Sequence, residues 1–105
     1  MGLFDFLKKQ DMHRGMEMFR NTPGAVLLDV RTLREYRQRH IPGCIHLPIP
    51  ELDRIEKWVP DRQTPIFIYC HSGQRARQAT KYLQKLGYCQ VVSIGGIAKY
   101  TGPTE

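Results

Sequence analysis

Short apolar runs alternate along this chain with polar stretches whose apolar residues recur at helical spacing. Ala25 to Val30 stays apolar until Asp29, and Ile66 to Tyr69 is a buried-type run that stops abruptly at Cys70. Cys44 to Leu47 and Val91 to Ile94 are shorter runs of the same kind. Such runs, lacking polar alternation, predict strands covered on both faces of a sheet. Met12, Met16 and Phe19 predict a helix from Asp11 to Arg20, with Asp11 as its N-cap. Leu33 and Tyr36 mark one side of a short helix whose Arg34, Arg37 and Arg39 face solvent. Leu52, Ile55 and Val59 give a weaker stripe from Glu51 to Trp58, ended by Pro60. Ala76, Ala79, Leu83 and Leu86 repeat clearly, with Gly87 as the stop.

Turn residues separate these segments. Asn21-Thr22-Pro23-Gly24 ends the first helix, and Ile41-Pro42-Gly43-Cys44 suits a type II turn. Gly95-Gly96 leads into a short helix near Lys99. The alternation of strand and helix predicts an α/β fold: a central, mainly parallel sheet of four to five strands with helices on both faces.

Composition narrows the class. A chain of 105 residues holds one domain with one modest core. We read residues 1–10 as an N-terminal arm that packs on a domain spanning 11–105. No apolar run is long enough to cross a membrane. The arm is apolar before Lys8 and Lys9, the reverse of a secretory signal, and Phe6 sits where a myristoylation motif wants Ser or Thr. A cytoplasmic protein without a membrane partner is expected. The net charge of +6 favours anionic partners. The basic residues are scattered and form no nucleic-acid module, so a small or acidic partner is expected and nucleic acid is not. Cys44, Cys70 and Cys89 match no zinc-ligand set and no Cys-x-x-Cys pair, so neither a metal nor a disulfide framework is expected. Cys44 and Cys89 read as half-buried residues at strand edges.

Cys70 reads differently. It follows a buried strand and precedes His71, Ser72, Gly73, Gln74 and Arg75, after which a helical pattern begins. At neutral pH only a few per cent of an ordinary cysteine is thiolate. Backbone N–H groups from His71 to Arg75, with the positive end of the following helix, would stabilise an anionic sulfur. Gly73 lets such a loop curl into an anion-binding nest, and Arg75 adds a fixed positive charge for an anionic group.

Three sets of residues carry a family likeness. The first is Leu28-Asp29-Val30-Arg31-Thr32, followed by Glu35-Tyr36 and His40-Ile41-Pro42-Gly43. The second is the loop from Cys70 to Arg75, and the third is Ile94-Gly95-Gly96 with the aromatic Tyr100 four residues later. In order and spacing these resemble a single-domain rhodanese, of the thiosulfate sulfurtransferase type. The sequence departs from that pattern at Arg39 (commonly glycine), Cys44 (usually alanine) and Tyr100 (commonly tryptophan). A left-handed turn at Arg39 would cost about 1 kcal/mol more than with glycine.

The resemblance implies a single rhodanese-like domain in which Cys70 takes a sulfane sulfur from a small anionic donor. A thiol or cyanide then accepts it from the Cys70 persulfide, with no metal or organic cofactor. His71 to Arg75 would bind substrate, and Asp29 and Arg31 would lie near the floor of the site, in a mutual ion pair, in one with Glu35, or in contact with substrate. His40 reads as a structural hydrogen-bonding residue, with Asp29 as a candidate partner. One rival is a sulfur carrier or regulatory binding module that exchanges sulfur with a protein. The other is a phosphatase or arsenate reductase. Phosphate loops of that kind place five residues between cysteine and arginine, whereas four separate Cys70 from Arg75.

Overall fold

The structure, a computed structural model, describes residues 11–105. The arm predicted at 1–10 lies outside the described residues. The chain runs α1 (Met12–Arg20), β1 (Val26–Asp29), α2 (Leu33–Gln38), β2 (Ile45–His46), a 3-10 helix (Ile49–Arg54), α3 (Ile55–Trp58), β3 (Ile66–Cys70), α4 (Gln74–Lys85), β4 (Val91–Gly96) and a last 3-10 turn (Ile97–Lys99). The four strands are all parallel in the order β2-β1-β3-β4, as the strand and helix alternation predicts. No helix among the described residues is long and apolar enough to cross a membrane.

Period-two geometry divides the core. Along β3, Phe67 and Tyr69 join Met12, Met16, Ile94 and Tyr100 on the α1 side of the sheet. Ile66, Ile68 and Cys70 point the other way, onto Ala76, Ala79 and Leu83 of α4. Every residue of β3 is buried, so its run shows no polar alternation. Each large side chain buried this way contributes about 1.5–3 kcal/mol relative to exposure.

Several local expectations change. The stripe from Glu51 to Trp58 is a 3-10 helix followed by a single α-turn, because Pro48 and Pro50 enter it without N–H groups for an α ladder. Leu33 is half exposed, because α2 is held by its Thr32–Glu35 capping box and by no buried face of its own. Cys89 is exposed rather than half-buried. Arg39 has φ −172°, extended backbone that any residue adopts, so no left-handed turn arises there.

The edge of the sheet beside Cys70 depends on β4. The β3–β4 register runs Ile68 to Ser93 and then Tyr69 to Gly95, so Ile94 is an extra residue and forms a bulge. The bulge brings Gly96 opposite Cys70. A Cβ on Gly96 would lie 2.0 Å from the carbonyl oxygen of His71 and 2.5 Å from the Ser72 Cα, so the loop after Cys70 rests directly on this glycine. Gly96→Ala is therefore expected to displace the loop and lower stability by about 1–3 kcal/mol. Urea unfolding of the variant, with the m-value unchanged, checks this.

Candidate active site

Cys70 is the last residue of β3 and is 1% exposed. Its Sγ accepts the Gly73 N–H at 2.9 Å and the Ala76 N–H at 3.4 Å. Both follow from how α4 begins. Gly73, at φ 111°, turns the chain into the helix, and a side chain would be strained there. The N–H groups of the first helical turn have no intrahelical acceptor, and that of Ala76 finds one in the sulfur. Donors were expected from His71 to Arg75. Of these, Gly73 reaches the Sγ, and Ala76, one residue beyond, was missed. Its signal was the helix start itself, since a helix beginning at Gln74 directs its early N–H groups back along the axis.

The remaining loop residues face outward. His71, Ser72 and Gln74 are exposed, and the His71 carbonyl accepts the Ala98 N–H at 3.1 Å, fastening the loop to the last 3-10 turn. Arg75, read from the sequence as a fixed positive charge, is shared with Glu35. Its two terminal nitrogens donate to both Glu35 carboxylate oxygens at 2.7 and 2.9 Å. The Glu35 hydrogen bond is the main influence raising Arg75 above its ordinary range, and the charges of Cys70 and Asp29 add to it. The same hydrogen bond pulls the Glu35 carboxyl down to about 2 against the desolvation of burial, helped by the Thr32 backbone.

Asp29 and Arg31 form the mutual ion pair. Asp29 is completely buried and accepts the Arg31 backbone N–H, its Nε and its Nη2, the last at 2.8 Å. The Tyr69 hydroxyl donates to the same carboxylate at 2.7 Å and accepts the Ile41 N–H at 3.1 Å. Burial would lower Arg31, but the hydrogen bonds and charge of Asp29 outweigh it and hold the guanidinium above its usual range. Burial, reinforced by the charge of Asp29, keeps Tyr69 protonated far above the ordinary tyrosine range.

His40 does not bond to Asp29. Its Nδ1 meets the Tyr36 carbonyl at 3.0 Å, its Nε2 the Glu105 carboxylate at 3.3 Å, and its ring stacks on Tyr36. The reason is that Arg31 and Tyr69 already occupy the carboxylate. Cys44 Sγ lies 3.6 Å from the Tyr69 hydroxyl, and burial pushes its thiol up. Cys89 hydrogen-bonds with Arg62 and Gln63, away from the loop. Among the described residues no cluster of His, Cys, Asp and Glu could hold a metal ion.

The site thus sits in a parallel α/β domain, with a buried thiol at a strand's carboxyl end facing the start of a helix. The Rhodanese-like domain model matches residues 13–102, and the chain belongs to that family. It is 35% identical over 77 residues to thiosulfate sulfurtransferase PspE of Escherichia coli (strain K12), covering 72% of this chain and 74% of that one. YrkF of Bacillus subtilis (strain 168), named for a proposed sulfur-carrier role, is 36% identical over 80 residues. That match covers 75% of this chain but only 43% of YrkF, less than half its length. A solved structure described as a rhodanese with anions from E. coli superposes with a TM-score of 0.72 at 33% identity, covering 77% of this chain and 96% of that one. These relatives support a general sulfurtransferase assignment.

The Glu35–Arg75 pair makes the loop sensitive to acid. A carboxylate whose folded value is about 2, against an ordinary 4.5, adds stability above the ordinary value and loses it as pH falls through the folded one. The stability advantage of wild type over Glu35→Gln is expected to be full at neutral pH and to vanish progressively as the pH drops from 4.5 towards 2. Denaturant unfolding of both proteins across that range checks the sign.

Proposed function

We propose that this protein is a sulfurtransferase that moves a sulfane sulfur from thiosulfate or a similar donor to a thiophilic acceptor through a persulfide on Cys70. The observation that carries the reading is the pair of backbone N–H groups, from Gly73 and Ala76, directed at a buried cysteine sulfur. Donors fixed in the fold favour negative charge on sulfur without a separate base. In the first step the Cys70 thiolate attacks the outer sulfur of thiosulfate. The new Cys70 S–S bond forms as the donor's S–S bond breaks, and its electron pair leaves on sulfite. In the second step the acceptor attacks the terminal sulfur and the electron pair returns to Sγ. With cyanide the product is thiocyanate.

His71, Ser72, Gly73 and Gln74 supply the backbone rim on which the donor rests. Arg75 keeps a positive charge next to Cys70 while Glu35 fixes its orientation. A carrier function, with a protein as donor or acceptor, would use the same loop and differ only in what approaches it. A reducing, cytoplasmic setting fits a free Cys70 and is part of this reading.

Incubation with thiosulfate is expected to add one sulfur atom to the wild type and none to Cys70→Ser, with cyanide removing it as thiocyanate. Intact-mass spectrometry checks this, and an unmodified wild type or an equally modified variant sinks the proposal. Arg75→Ala is expected to raise the KM for thiosulfate about tenfold, the loss of one charge-assisted contact, while the fold persists. Steady-state thiocyanate formation and a circular dichroism spectrum together check that outcome; an unchanged KM assigns Arg75 to the structural pair alone.

A further inference from the structure

The outer surface of α4 carries two neighbouring rows of side chains. Residues four apart lie one turn above each other, so Gln78 and Tyr82 form one row and Arg77, Lys81 and Lys85 the next. The first row walls a groove of about 430 Å³ against Ile49, Pro50, Leu52 and Asp53 of the first 3-10 helix. Tyr82 is 39% exposed, so the domain's own packing leaves much of its ring uncovered. An aromatic side chain of this kind, set in a groove, is what anchors protein interfaces. The groove lies on the face of the sheet to which Cys70 points, since Ile49, Leu52 and Cys70 pack in one core cluster. Gln78 stands one turn beyond Gln74, the first residue of α4 after the loop.

The second row decides what fits. α4 contains no acidic residue, and Arg77, Lys81 and Lys85 are all exposed. Like charges four residues apart weaken a helix, so the row does not serve folding. The helix dipole accounts for Lys85 in the last turn but not for Lys81 in the middle. Among the described residues no ion pair holds Lys81 or Lys85. Asp53 puts a carboxylate on the facing wall, so the negative charges of a matching ligand belong on the α4 side. Such a ligand needs an apolar edge for the groove and carboxylates beside it. A protein segment presents both, whereas an RNA strand presents a phosphate along its whole length.

We infer that this groove is the docking surface of an acidic protein, whose apolar side chains enter beside Tyr82 and whose carboxylates meet Lys81 and Lys85. Docking needs no reaction at Cys70, so the inference stands apart from the persulfide reading. A partner seated in the groove lies one helical turn from the loop.

The test uses three dye-labelled probes at low salt: an amphipathic peptide of leucine and glutamate, its counterpart with lysine for every glutamate, and an oligouridylate. Fluorescence anisotropy is expected to show binding of the glutamate peptide and none of the lysine peptide. Tyr82→Ala is expected to raise the Kd about tenfold, as for an aromatic anchor. Lys81→Glu is expected to raise it about fivefold, the effect of reversing one exposed charge. Arg14→Glu makes the same change in net charge on α1, across the sheet, and is expected to leave the Kd unchanged. All three positions are exposed, and circular dichroism confirms that each variant folds. Absence of glutamate-peptide binding, or a Kd indifferent to Tyr82→Ala, overturns the groove. Equal weakening by Lys81→Glu and Arg14→Glu assigns the binding to net charge and also overturns it. Oligouridylate that binds more tightly than the glutamate peptide overturns the protein partner in favour of nucleic acid. Anisotropy reads docking alone, so each of these outcomes leaves the loading of Cys70 by thiosulfate a separate result.

Discussion

A fully buried carboxylate organises the carboxyl edge of this sheet. Asp29 ends β1 with no access to water, a position that is tolerable only because Arg31 and Tyr69 satisfy its oxygens. Each partner carries the constraint further. Arg31 donates onward to the Arg39 carbonyl, and Arg39 to the carbonyl of Ile97. Tyr69 receives the Ile41 N–H, and the Asp29 backbone carbonyl accepts the Leu47 N–H. Segments following β1, β2 and β4 are thereby tied to β3, the strand that delivers Cys70. Removing one member of such a pair leaves an uncompensated charge, which costs far more than the intact pair contributes. The interaction therefore acts as a constraint on geometry more than as a source of stability.

On that fixed edge, the thiol's surroundings come from backbone rather than side chains. A strand must end at Cys70, a glycine must turn the chain at Gly73, and a helix must begin at Gln74. The bulge at Ile94 then sets Gly96 under the loop with no room for a side chain. The Glu35–Arg75 pair closes the arrangement from α2. Loop position is thus determined from three directions, by β4 beneath, α4 behind and α2 beside it. Precise placement of N–H groups matters because their worth to an anionic sulfur depends on distance and direction.

Much of this was legible in the sequence. The apolar runs gave the strands, Asp11 gave the first N-cap, and the abrupt polar break after Ile66 to Tyr69 marked the site. What stayed hidden depends on contacts distant in sequence. Glu35 and Arg75 are forty residues apart, and only the packing of α2 beside the loop makes them partners. His40 was matched with Asp29 on proximity in the motif, but Arg31, two residues from Asp29, reaches the carboxylate first. Ala76 carries no polar side chain, so its role as a donor was invisible to any reading based on residue type. The bulge at Ile94 could be inferred from Gly95-Gly96, yet its register against Tyr69 required the pairing itself.

The same contacts bear on the choice between sulfur and phosphoryl chemistry. A loop that binds a tetrahedral phosphoryl group needs a ring of inward N–H donors and a guanidinium turned towards the oxygens. Here two of the nearby donors are already spent on Sγ, and both carboxylate oxygens of Glu35 hold Arg75 from the side. Four residues, not five, separate the cysteine from the arginine. What remains is a short rim around one sulfur, with a paired positive charge beside it. On the proposed reading a single atom added to Sγ needs only that rim, and Arg75, still charged within its pair with Glu35, remains beside it for an anionic donor.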